Sequence, residues 1–343
     1  MKLIAIHNSK AGFHSRWIAY CEEKAIPYKL VNCFANNIIQ ELQDCDALMW
    51  HHSQNDPKAL LVAKQILFAI EHSGKVVFPN FKTNWHFDDK VGQKYLLESV
   101  NCDTPQNYVF LTKQEAKAWA KNTTYPVVFK LRRGAGSFNV MLIKNYYQAT
   151  QAINKSFGRG YSNYNSIIAF KEILKKKKTT KINKIDLIKS LARLFIKPKF
   201  TKITGKESGY VYFQEFIPDN SYDVRVIVIG DKAFAIKRTV RTNDFRASGS
   251  GIIEFGKNNF DDKTIRIAFE VADKLSAQCI AFDFVYKEND PLIVEISYGY
   301  SIAAYDPCEG YWDKNLNWFD GGFDSAKWMV DVVINEIERK KQL

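Results

Sequence analysis

The sequence predicts a small parallel-sheet α/β domain followed by two α+β lobes, and three features carry that prediction. Over the first eighty residues, apolar runs of strand length alternate with helical patterns, as in βαβ units. Beyond Pro105 the pattern changes to short strands rich in valine and aromatic residues. The last third holds two further strand pairs separated by one helix and closed by another. At 343 residues the chain is long enough for two or three compact lobes.

Taken in order, residues 3–7, 28–32, 47–51 and 75–79 are the strands of the first domain, with helices at 14–25 and 57–72. A helix runs from Lys90 to about Ser99. The segments 108–111, 126–131 and 140–144 read as β hairpins. Strands resume at 210–216, 222–229 and 233–239, the last two joined by a Gly230-Asp231 turn. A helix at 262–276 precedes strands 281–286 and 292–296, and a helix at about 324–340 closes the chain. The expected domains are 1–88, 89–210 with an insert at about 158–209, and 211–343.

Composition excludes several classes. With 46% hydrophobic and 25% charged residues, the chain is an ordinary globular one. No run of eighteen apolar residues is present, and the N-terminus reads as a first strand, not a secretory leader. Six cysteines are scattered without a CxxC pair, so neither a metal cluster nor a disulfide framework is expected, and the cytoplasm is the default location. The formal charge of +12 is concentrated: residues 171–206 hold thirteen Lys or Arg against Glu172 and Asp186, which is +11 of that total. The remainder of the fold is nearly neutral, and no stacking-aromatic pattern is interleaved with the charges, so nucleic acid is not expected as a partner.

The first turn, His7-Asn8-Ser9-Lys10-Ala11-Gly12, lacks the G-x-G-x-x-G of a dinucleotide site. In an open α/β sheet the carboxyl ends of the strands form the usual crevice, which puts Asn8, Ser9, His51, His52 and Asn80 on a candidate rim; ordinary polar loop ends are the alternative. The strand 126–130 ends in Lys130, and Arg132-Arg133-Gly134-Ala135-Gly136-Ser137 follows. Gly134 and Gly136 let the main chain approach an anion without Cβ interference. In the strand that starts at Tyr222, alternation puts Asp223 and Arg225 on one face, where they can pair. Lys237, Arg238, Arg241 and Arg246 follow in a stretch suited to a negatively charged substrate or a transferring phosphoryl group. Asp283 and Glu295 each interrupt an apolar strand, and the two strands are antiparallel neighbours by pattern. Two buried acids facing each other need a cation or another partner, and magnesium prefers such oxygens.

In this order the motifs resemble the ATP-grasp superfamily, nearest to its branch of ribosomal-protein glutamate ligases and glutathione synthetases. The resemblance rests on Asp89-Lys90, Val127-x-x-Lys130 with its glycine loop, Gln214-Glu215-Phe216-Ile217, Asp223-x-Arg225, Phe245-Arg246, Phe282-Asp283 and Val294-Glu295-Ile296, over 89 to about 301. It implies two α+β lobes gripping ATP, preceded by a small α/β domain. By resemblance, Lys90 and Lys130 contact the phosphates under a lid at 133–138 that includes Gly134, Gly136 and Ser137. Gln214, Glu215, Phe216 and Ile217 read adenine, and Asp223 lies near the ribose or acceptor. Arg225 and Arg246, with Lys237, face the reacting groups; Asp283 and Glu295 hold magnesium. The family's asparagine two residues after the second acid is here Ser297, a third candidate ligand, and the usual Phe-Arg-Ser-Asn reads Phe245-Arg246-Ala247-Ser248.

The implied activity is an ATP-dependent carboxylate–amine ligase that works through an acylphosphate on a small-molecule or glycan carboxylate, in a surface-polysaccharide or cell-envelope setting. A phosphotransferase on a small molecule or sugar and a non-catalytic ATP-binding module are the alternatives. The tail Tyr298, Tyr300, Tyr305, Tyr311 and Trp312 is expected to shape an acceptor pocket. Within the insert, residues 186–197 project as an amphipathic helix ended by Pro198, with Asp186, Lys189, Ser190, Arg193 and Lys197 on one face. Next to Lys175-Lys176-Lys177-Lys178, that helix suits an anionic membrane surface, which would make the protein peripheral on its inner face, or a polyanionic substrate. The alternative is an apolar face packed on its own lobe beside a solvated lysine loop.

Overall fold

The computed structural model describes residues 2–9, 12–134, 140–162, 199–240, 245–246 and 252–342. They form two compact units: Met1–Phe87, Gly92–Thr104 and Ile217–Leu343 make the first, Asp88–Val91 and Pro105–Phe216 the second.

The first unit begins with a parallel sheet. Strands β1 (Ile4–His7), β2 (Tyr28–Val31), β3 (Ala47–Met49) and β4 (Val76–Phe78) lie in the order β2-β1-β3-β4. Helices α1 (His14–Glu23), α2 (Ile38–Glu41) and α3 (Pro57–His72) connect them, and α4 (Phe81–Asn84) and α5 (Lys90–Ser99) follow. Helix α3 starts where the Asp56 carboxylate accepts the N–H of Lys58 at 2.9 Å, with Pro57 in its first turn. Ala59, Ala63, Leu67 and Ile70, spaced three or four residues apart, bury one stripe of α3 against Ala5, Leu48 and Val77. Ile4, Ile6, Met49 and Phe78 point the other way and meet Trp17 and Cys21 of α1. Both faces are covered, which is why these strands read as continuous apolar runs.

The second unit is built on an antiparallel sheet in the order β5-β10-β6-β7: β5 (Asn107–Phe110), β6 (Val127–Lys130), β7 (Met141–Ile143) and β10 (Val211–Glu215). Two helices, α6 (Lys113–Asn122) and α7 (Tyr146–Ser156), bury Ala116, Ala120, Ala149, Ala152 and Ile153 against Phe129 and Phe213. Of the expected hairpin strands, β6 and β7 pair antiparallel as expected, but β5 is corrected: it pairs with β10, and α6 lies between β5 and β6 in the chain. Thr112-x-x-Glu115 is a capping box, with the Thr112 hydroxyl bonded to both the Glu115 carboxylate and its N–H. Asn145 caps α7 in the same way. Strand β8 (Tyr161–Ser162) pairs with β9 (Lys206–Glu207), and α8 (Lys199–Thr204) precedes β9. The expected helix at 186–197 and the lysine run before it lie outside the described residues.

The rest of the first unit is an antiparallel sheet in the order β15-β14-β11-β12-β16-β17: β11 (Tyr222–Ile229), β12 (Lys232–Thr239), β14 (Cys279–Lys287), β15 (Asp290–Ser297), β16 (Gly310–Asp313) and β17 (Trp318–Asp320), with β13 (Ile253–Glu254) on β12. The Gly230-Asp231 turn joins β11 to β12 as expected, Gly230 taking φ +58°. Helix α9 (Asp262–Leu275) covers the face made by Val224, Val226, Val228, Phe282 and Phe284. Helix α10 (Ser325–Gln342) inserts Met329, Val330, Val333 and Ile337 between the opposite face and the N-terminal sheet, so both sheets share one core. Among the described residues no helix is long and apolar enough to cross a membrane.

Candidate active site

Along one face of β11 the side chains change character: Ile229 and Ile227 belong to the shared core, and Arg225 and Asp223 continue the row. The neighbouring strands change in step. The β12 face runs Phe234, Ile236, Arg238, and the β14 face Cys279, Ala281, Asp283. Register then sets charge opposite charge, Asp223 against Arg238 and Arg225 against Asp283. Arg238 grips Asp223 with Nε at 2.6 Å and Nη2 at 2.7 Å, and its Nη2 also lies 3.0 Å from Asp283. Arg225 holds Asp283 in the same bidentate way, Nη2 to Oδ2 at 2.6 Å. Asp223 and Arg225, expected to pair, instead each pair across strands, because side chains two apart along a strand are farther from each other than from their cross-strand partners.

This ladder of two arginines and two aspartates is largely buried. Burial works against the Asp283 carboxylate, but Arg225 and Arg238 outweigh it and hold the group well below the usual range. For Asp223, burial wins over Arg238 and pushes the carboxyl up to about 6. Glu295 is the register partner of Asp283 on β15, so the two acids stand side by side as expected. Magnesium would find hard carboxylate oxygens there, and each carboxylate has lone pairs beyond those used by the guanidiniums. Among the described residues no group of three or more His, Cys, Asp or Glu forms a metal cage, so the other ligands would be phosphate oxygens and water, as is usual for this ion. The Ser297 hydroxyl is engaged with its own loop, 3.0 Å from Gly299 O and 3.2 Å from Gly299 N.

In the second unit, the sheet face opposite α6 and α7 is mixed, with Val109, Val128 and Leu142 between polar side chains. Asn107, Lys130, Tyr212 and Gln214 lie on it, and the Asn107 side-chain oxygen accepts from the Tyr212 hydroxyl at 2.6 Å and Gln214 Nε2 at 2.7 Å. Lys130 and Lys90 are 7% and 6% exposed, which is unusual for lysine and marks a built charge site. Lys90 Nζ donates to Gly134 O at 2.8 Å, and Gly134 N donates to Asp88 at 2.9 Å. The start of the glycine loop is tied down again by the Glu207 carboxylate, which accepts from the N–H groups of Arg132 and Arg133 at 3.0 and 3.2 Å. The loop thus begins on a backbone framework made by three separate segments. Glu215 accepts from Gln106 N at 3.1 Å. Phe216 ends the second unit, and Ile217 opens the following segment of the first.

Several expected residues fall elsewhere. Lys237 points to the face opposite the ladder, 3.2 Å from Glu254 and over the Tyr222 ring. Alternation puts Arg238, its neighbour, on the ladder face; parity along β12 was the available signal. Arg246 is described and half-buried, whereas Gly136 and Ser137 lie outside the described residues. Asn8, Ser9, His51 and His52 do line a cavity, of about 730 Å³ within the first unit. Asn80 does not; its side chain caps α4 by accepting Thr83 N at 3.0 Å. Of the aromatic tail, Tyr300 reaches the cavity wall, with Tyr305 packed on it at 5.1 Å, whereas Trp312 is buried on the α9 side of the sheet.

Comparison with known proteins agrees with this architecture. Residues 197–305 match the RimK-like ATP-grasp domain. The alpha-aminoadipate–LysW ligase LysX of Saccharolobus solfataricus is 22% identical over 231 residues, 67% of this chain and 68% of that protein. A RimK domain ATP-grasp protein of Sphaerobacter thermophilus superposes with a TM-score of 0.56 at 14% identity, covering 97% of this chain and 99% of that one. The D-alanine–D-alanine ligase of Bacillus anthracis complexed with ATP gives 0.52 at 12% identity, covering 100% and 98%. The chain has the ATP-grasp fold and is similar to the RimK-like branch of that superfamily, whose domain its residues 197–305 match.

Proposed function

We propose that this protein is an ADP-forming ligase that joins a carboxylate to an amine through an acylphosphate. The observation that carries the reading is the Asp223–Arg238–Asp283–Arg225 ladder with Glu295 beside it, in a chain whose buried Lys90 and Lys130 stand at a glycine loop. Phosphoryl transfer asks little covalent chemistry of a protein; it asks for positioning and for neutralisation of oxygen charge. In this reading Lys90 and Lys130 neutralise the phosphates. Gln214, Glu215, Phe216 and Ile217 take the base, and Asp223 lies toward the ribose or acceptor. Arg225 and Arg246 hold the substrate carboxylate in line for attack. Asp283 and Glu295 would hold magnesium, which supplies charge neutralisation at the transferring phosphate.

The carboxylate oxygen attacks the γ-phosphorus, ADP departs, and the amine then displaces phosphate from the acyl carbon, losing a proton as the amide forms. The test is ADP and phosphate release from paired carboxylates and amines, with uronic acids and amino acids included. Phosphate released only when both partners are present is the expected result. A stable phosphorylated product would identify a phosphotransferase. Unchanged turnover in both Lys130→Ala and Glu295→Ala would remove the site assignment.

A further inference from the structure

The cavity of about 730 Å³ at the carboxyl ends of β1 and β3 falls in the size range of pockets that hold small-molecule ligands. Its lining is mixed, apolar and aromatic surface interrupted by polar groups, and little of it is charged. His7, His51 and His52 line it from β1 and from the loop after β3; His7 Nδ1 accepts the Cys33 N–H at 3.0 Å and His52 Nε2 lies 2.9 Å from Asn84 Oδ1, and burial lowers the pKa of all three, to about 4 for His51 and about 3 for His52. All three imidazoles are therefore neutral at physiological pH. Among the described lining residues only Asp56 and Lys58 carry formal charge, and the Asp56 carboxylate is committed to capping α3.

The wall also has an aromatic platform. Phe34 is half-exposed, braced edge-on by His7 at 5.1 Å and Trp50 at 5.4 Å. His51 stacks on Phe13 at 3.9 Å, and among the described residues its buried Nδ1 has no hydrogen-bond partner. A buried polar atom without a partner carries a desolvation cost unless a ligand or water meets it. Gly12 leaves room for that atom: a Cβ there would sit 2.3 Å from His51 Nδ1, so any larger residue displaces the ring.

Neutral donors and acceptors around an aromatic face suit neither an anion nor an apolar ligand. We infer that this cavity binds an uncharged, hydroxyl-rich ring, the chemistry of a pyranose unit, and so sets the substrate class of the proposed ligase. The inference rests on that reading for its catalytic meaning and on the cavity alone for its binding. The connection between the two is short, since Tyr300 on the cavity wall packs on Tyr305, whose buried phenol feels the charge of Arg225.

Saturation-transfer NMR on the full chain, with and without MgADP, tests it using methyl glucoside, N-acetylglucosamine, glucuronate, alanine and benzoate as probes. At least one pyranose should saturate with a Kd below about 10 mM, and Phe34→Ala and the shape-preserving His51→Phe should each weaken it about tenfold. MgADP affinity should stay unchanged in both variants, which shows that they fold. Pyranose binding indifferent to both substitutions overturns the inference, and so does alanine or benzoate binding in place of every sugar. Absence of any sugar binding to protein that still binds MgADP overturns it as well. Failure of MgADP binding beside intact sugar binding would instead strike the ligase reading and leave the cavity assignment standing.

Discussion

The two charged regions of this protein are built from different materials. In the second unit, Lys90, Gly134, Asp88 and Glu207 are joined mostly through backbone N–H and C=O groups at the start of a loop. In the first unit, the ladder is side chain to side chain across three registered strands. A loop-start framework can rearrange at the cost of a few hydrogen bonds, whereas a cross-strand ladder moves only if the sheet does. Under the proposed function, the loop start and its partners would serve phosphate binding, and the ladder would fix where a reacting group sits. Each side of that contrast can be attacked separately.

The largest effect is expected from Asp283→Asn. It leaves Arg225 and Arg238 buried around a neutral side chain, and loss of one partner from a buried ion pair costs about 3–5 kcal/mol. Both denaturation midpoint and ADP formation should collapse; a variant with native stability would show that the strands do not depend on the ladder. Lys130→Ala should separate the two properties. We expect ADP formation to fall by about 10²–10³, the scale for losing one electrostatic contact to a reacting oxygen, with the melting temperature little changed.

The third prediction concerns acid. A histidine whose pKa is lowered in the folded protein gains a proton on unfolding, so its contribution is present above pH 6.5 and drains away as pH falls toward the folded value. His51 and His52 should together cost the first unit several kcal/mol at pH 5, on the order of 2 kcal/mol each. Asp223 works in the opposite sense, since its raised pKa favours folding below pH 6. Urea unfolding of wild type and His52→Gln at pH 5 and 7 isolates the imidazole part as a flatter pH dependence in the variant. The smallest effect is expected from Glu207→Gln, which weakens two charge-assisted bonds to the loop start. The KM for ATP should rise a few-fold, at about 0.5–1.5 kcal/mol, with kcat and the ladder unaffected. A change in kcat alone would contradict the loop-framework role.

Much of the fold was readable from periodicity: β11 spans the expected residues, and Asp283 and Glu295 stand opposite each other as their strand patterns implied. What periodicity could not reveal is which partner a strand chooses, because pairing of β5 with β10 joins segments a hundred residues apart. The capping box at Thr112 was a local signal for α6 and passed unread among aromatic strand-like residues. In the site, composition pointed to Lys237, but the two-residue alternation of β12 gives that face to Arg238. The placement of Tyr300 at a cavity, with Trp312 on the far side of the sheet, depends on long-range packing that no spacing encodes.

The N-terminal sheet is made in the first eighty residues, yet one of its two faces is completed by Met329, Val330, Val333 and Ile337 of α10. On the ribosome, α1 can cover part of that face early through Trp17 and Cys21, but the part that α10 completes waits for more than two hundred further residues. During that interval the nascent chain displays an apolar surface of the kind that chaperones bind and that aggregates when they are scarce. Heterologous expression of this protein should depend on slow synthesis, low temperature or chaperone supply. A fragment ending before α10 should be insoluble even though every strand of its first sheet is present.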